Sequence, residues 1–122
     1  MSKFNGNLTV TKIGGRFWRV AQGFSFISDK FEPVEIPQGF DTDFASIPRA
    51  VWWILPPDGQ YSQAACLHDF LYQKRKDLTF EGPKRSRKEC DQIFLEAMKT
   101  LGVGYFTRYA MYNAVRFFGG FH

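Results

Sequence analysis

The chain has 122 residues, of which 44% are hydrophobic and 18% aromatic, and a net charge of +4. That length suits one domain over residues 1–122, and 14 Phe, five Tyr and three Trp supply a core and exclude a disordered chain. No run nears the roughly 18 apolar residues that a membrane span needs, and the modest charge reads as ordinary solubility, with phosphate or an acidic surface permitted as partners but not demanded.

In chain order, residues 8–13 alternate apolar and polar side chains, as a half-buried strand does. Gly14-Gly15 is a hairpin signal, and residues 16–21 form the second strand. Gly23 interrupts the run, residues 24–27 resume it, residues 34–36 add another strand closed by Pro37, and residues 40–44 are extended. The pattern then becomes helical. Ser46 is placed to cap a short helix over 47–55 with Pro48 in its first turn. A second helix runs from about 61 to 74, and the charged stretch 75–85 with Gly82-Pro83 is a solvated loop. Ser86-Arg87-Lys88-Glu89 is a capping box. It opens a helix with Cys90, Ile93, Phe94, Ala97, Met98 and Leu101 at helical spacing, stopped at Gly102. A last helix spans about 105–118. Strands first and helices later predict an α+β fold: a small N-terminal antiparallel sheet followed by three to four helices packed against it.

Cys66 and Cys90 fall inside apolar helical patterns and read as buried thiols, with their pairing left open. With only His68 and His122 beside them, no four-ligand Cys/His zinc spacing exists. Lys74, Arg75, Lys76, Lys84, Arg85, Arg87 and Lys88 flank one loop, the place where a nucleic-acid footprint could be argued, although the balance is against it.

The residues that point to chemistry are His68-Asp69-Phe70-Leu71-Tyr72. His68 and Tyr72 are four apart and share a helix face, with Asp69 at its edge. An ionisable pair among Ala64, Ala65, Cys66 and Leu67 is costly to bury without partners, so the sequence calls for carboxylates elsewhere. Asp91, one turn into the next helix, reaches His68 if the two helices pack antiparallel; Asp41 and Asp43 are the other candidates. A carboxylate on one imidazole nitrogen fixes the tautomer and makes the other a better base or metal ligand. Asp69 and Asp43, with His68, could then hold a divalent cation, zinc or calcium, or position water. Each residue also has a plainer role: His68-Asp69 as a satisfied polar contact, Asp43 and Ser46 as caps of the 47–55 helix, Asp91 as a helix N-terminal charge. Trp52 and Trp53 are adjacent, so both cannot face the core of one helix.

The segments 36–49 and 68–72, together with Ser86-Arg87, Asp91, Phe94 and Ala97-Met98, resemble the signature of a phage and prophage family, domain of unknown function 1353. The resemblance covers most of the chain after about Val34. It implies that Asp43, Ser46, His68, Asp69 and Asp91 form one cluster, in a protein of the infected host's cytoplasm or of the virion. Locally, His68-Asp69-x-x-Tyr72 is similar to the catalytic helix of secreted phospholipases A2. That likeness implies His68 as general base, Asp69 as metal ligand, Asp91 as the carboxylate that orients His68, and Tyr72 bonded to that carboxylate. The chain departs from those enzymes in lacking their glycine-rich calcium loop and dense disulfides, so the shared geometry is convergence.

Two functions of different class follow. In the first, the chain is a phage-encoded small hydrolase of unknown substrate, with His68, Asp91 and Tyr72 as above and Ser46 as an alternative nucleophile. In the second, it is a virion, assembly or counter-defence protein that docks a phage or host protein, and the His-Asp cluster is a structural lock.

Overall fold

A computed structural model describes residues 2–15, 17–42 and 61–118. The expected helix at 47–55, and with it Asp43, Ser46, Trp52 and Trp53, lies outside the described residues. Among the described residues, six strands precede three helices in the order β1 (Lys3–Asn5), β2 (Thr9–Gly14), β3 (Phe17–Gln22), β4 (Phe24–Ile27), β5 (Val34–Ile36), β6 (Asp41–Thr42), α1 (Ser62–Lys76), α2 (Arg87–Thr100) and α3 (Tyr105–Phe118). The fold is α+β.

The strands divide into two three-stranded antiparallel sheets, β1-β4-β5 and β2-β3-β6, where one sheet was expected. The chain passes from the second sheet to the first at Gly23. A Cβ there would stand 3.1 Å from the Ile36 carbonyl oxygen, so the backbone of β5 approaches more closely than a side chain would fit without a small shift. It returns at Gly39, whose φ of +92° turns the chain toward β3. There the Gly39 N–H donates to Val20 O, and the Val20 N–H donates to Phe40 O, each at 2.8 Å. β1 is too short to carry a periodic signal; it is held by pairing with β4, with Phe4 opposite Phe26.

Burial is uneven. In the β2-β3-β6 sheet only Val20 and Thr42 are fully buried, and Ile13 and Phe17 at the far end are exposed. The β1-β4-β5 sheet buries Phe24, Phe26, Val34 and Ile36 against the helices in one continuous core with Leu67, Leu71, Ile93, Phe94, Met98, Met111 and Val115. Each of those large side chains is worth about 1.5–3 kcal/mol on burial.

The helices form because their local signals agree. Ser86 accepts from the Glu89 N–H at 3.1 Å while the Glu89 carboxylate accepts from the Ser86 N–H at 2.9 Å, closing the capping box at the start of α2. Gly102, at φ +84°, follows the end of α2, and the Val103 N–H donates back to Met98 O. α1 differs: residues Ala64 through Tyr72 are all buried, so it is enclosed on every side, with α2 and β6 packed against it. It extends two residues beyond the expected end, and Lys74, Arg75 and Lys76 belong to its last turn, where cations complement the helix dipole.

A buried ionic node joining three helices

Enclosure of α1 puts His68 and Asp69 in the interior, and α2 supplies the carboxylate. His68 Nε2 lies 2.7 Å from Asp91 Oδ1, and the Tyr72 hydroxyl donates to the same oxygen at 2.6 Å. His68 and Asp91 are completely buried. The imidazole is packed between the Tyr72 and Phe94 rings, with centroids at 4.2 and 4.6 Å. The structure thus brings together His68, Tyr72 and Asp91, the three residues whose spacing suggested a shared face and a partner helix.

Asp91 has more partners than the sequence indicated. Arg116, from the last turn of α3, donates Nη1 to Asp91 Oδ2 at 2.9 Å, and Arg87, one turn before Asp91, stands 3.8 Å from that oxygen. Arg87 also donates to the Val115 and Arg116 carbonyl oxygens at 3.3 and 3.0 Å, satisfying acceptors near the C-terminus of α3. One carboxylate therefore ties α1, α2 and α3 together. The Arg87–Asp91 spacing of four was readable as a helical ion pair. Arg116, 25 residues from Asp91, left no local signal.

The electrostatics keep the node charged. Burial pushes Asp91 toward its neutral form, but the hydrogen bonds from His68 and Tyr72, the charge of His68 and the Arg116 contact outweigh it and hold the carboxyl below its ordinary range. Tyr72 is pushed up, by burial first and then by its bond to Asp91, so its hydroxyl keeps its proton and remains a donor. With Asp91 ionised, Nε2 carries the proton of the His68–Asp91 hydrogen bond.

Asp69 sits on the other side of α1. Its Oδ2 accepts from the Thr42 hydroxyl of β6 at 2.5 Å and from the Gln73 side-chain amide at 3.1 Å. Thr42 is completely buried, and its bond fastens β6 to α1. Gln73 is four residues from Asp69, a spacing that could have been read; Thr42 could not. Asp41 is not part of this arrangement: it faces solvent and pairs with Arg19 through two bonds of 2.8 and 3.2 Å. Among the described residues no three His, Cys, Asp or Glu side chains gather as metal ligands, and Asp43 and Ser46 lie outside them. Cys66 and Cys90 are both buried free thiols.

The model of the family described as "Protein of unknown function (DUF1353)" matches residues 18–115. The chain belongs to the DUF1353 family. No curated protein and no solved structure matches it. The DUF1353 match takes in β3 through most of α3, and with them Thr42, His68, Asp69, Tyr72, Arg87 and Asp91; Arg116 is the first residue beyond it.

The basic stretch has internal uses. Lys84 donates to the carbonyl oxygens of Asp77 and Phe80, Arg85 to that of Glu32, and Lys74 pairs with Asp77. Cations bound to the protein's own backbone neutralise fewer phosphates, which weakens this stretch as a nucleic-acid surface.

Proposed function

We propose that this member of the family is a phage-encoded small hydrolase in which His68 is the general base. The observation that carries the reading is the His68–Asp91–Tyr72 arrangement. A carboxylate on Nε2 fixes the tautomer in which Nδ1 accepts a proton from water, and it stabilises the imidazolium that results. Tyr72, Arg87 and Arg116 hold that carboxylate in place. The local likeness to the phospholipase A2 catalytic helix supports the same roles. In this reading Asp69, with Asp43, holds a divalent cation; an all-oxygen set favours calcium over zinc, and the cation would polarise the bond under attack.

A second reading makes the node a lock between helices in a protein that docks a phage or host partner. Two observations favour it: His68 and Asp91 are completely buried, and α3 turns Phe106, Tyr109, Ala110 and Phe117 outward, with Phe106 at 86% exposure.

The test compares wild type with His68→Ala on a panel of ester, phosphodiester and peptide substrates, with and without chelator, alongside thermal melts. Turnover by wild type that disappears in a variant still cooperatively folded is the expected result. A melting point lowered by several degrees, with no turnover by either protein, would establish the lock instead.

A further inference from the structure

Away from the node, a groove of about 740 Å³ opens where the outer face of α2 meets α3 and the segment after β4. Its volume lies in the range of sites for small organic ligands, about 300–1,000 Å³. Its apolar wall is Phe31, Leu95, Tyr109 and Tyr112, and the two tyrosine rings meet edge to face at 6.4 Å. Its acids and bases are not equivalent. Glu96 is used by the protein itself: Ser2 and Ser28 hydroxyls and the Asp29 N–H all donate to it. Lys30, Lys99 and Arg108 line the groove as well, and no carboxylate pairs with any of them among the described residues. Arg108 is braced by the Val103 carbonyl at 3.2 Å and stacks over the Tyr105 and Tyr109 rings at 5.3 and 5.7 Å, so its guanidinium is pre-positioned.

Two carboxylates, Asp29 and Glu96, line the groove against three cations, and among the described residues neither is paired with one of those cations; this excess of positive charge beside aromatic rings matches a ligand with a phosphate at one end and a flat heterocycle at the other. The cations take the phosphate oxygens, and the ring stacks on tyrosine. An aliphatic acid would leave the rings without a stacking partner, and inorganic phosphate would leave the apolar wall wet. We propose that this groove binds a nucleotide, held by Lys30, Lys99 and Arg108 through its phosphate and by Tyr109 and Tyr112 through its base. The same chemistry is offered by a free mononucleotide and by one unit of a single strand.

The experiment is an NMR titration of the full chain with AMP, adenosine, inorganic phosphate and a short single-stranded oligonucleotide, repeated on a Lys30→Ala/Lys99→Ala variant. Both lysines are exposed, so the variant folds as wild type, which a melt verifies. Saturable shifts at Leu95, Tyr109 and Tyr112 with AMP, at a Kd below about 1 mM, are expected. Adenosine and phosphate should each bind at least about tenfold more weakly, and the double variant should lose about tenfold in AMP affinity. An oligonucleotide that binds more tightly than AMP assigns the site to a strand; one that binds more weakly assigns it to the free nucleotide. No saturation with AMP, phosphate binding as tightly as AMP, or an unchanged affinity in the double variant would overturn the proposal.

Discussion

His68, Tyr72, Arg87 and Arg116 converge on Asp91, and these partners differ in what their removal should cost. Arg116→Gln takes away the closer of two cations from a buried carboxylate and should destabilise the fold by about 1–3 kcal/mol. Tyr72→Phe removes one donor and keeps the ring packing, so about 1–2 kcal/mol is expected; urea unfolding of both variants measures the difference. The pH dependence has a definite sign. Asp91 titrates lower in the folded chain than in the unfolded one, so its contribution is complete above the unfolded value, about 3.9, and is lost as pH falls through the folded one. Melting temperatures followed downward from pH 6 should therefore fall steeply below about pH 4 in wild type, and less steeply in Asp91→Asn. Asp29, Asp41 and Asp77, whose carboxyls are also held low, lie away from Asp91, contribute equally to both proteins and cancel in the comparison.

At the level of elements, each helix depends on a different kind of information. α2 carries its own start and stop, so it was legible from Ser86-x-x-Glu89 and Gly102 together with the spacing of its apolar residues. Ser86→Ala should open the capping box at a cost of about 1 kcal/mol, lowering the melting point by about 4 °C in a calorimetric scan. α1 has no side-chain cap and is buried on every face, so its stability comes from packing against α2 and β6 and not from local preference. The strands were legible where they alternate or sit between glycines. The division into two sheets was not, because it depends on backbone crossings at Gly23 and Gly39 that bring together residues with no sequence pattern in common.

Over the chain as a whole, the thiols report how tightly the helices close. Cys66 and Cys90 are each pushed up to about 12, by burial first and then by the nearby carboxylates, Asp69 for Cys66 and Asp91 for Cys90. A thiolate is the reactive form, so both should resist a disulfide reagent at pH 8 in the native protein and react together once denaturant opens the core. Fast labelling of either thiol without denaturant would show local opening around α1 or α2. The sequence by itself determined the α+β class, the helices that follow the strands and the shared face of His68 and Tyr72, because periodicity, capping and four-residue spacing are local properties of a chain. Tertiary structure alone decided that Asp91 is held by Arg116 as well as Arg87, that Thr42 anchors Asp69, and that Lys30, Lys99 and Arg108 meet around one groove. Those contacts join residues far apart in sequence, and only packing of the elements sets which of them meet.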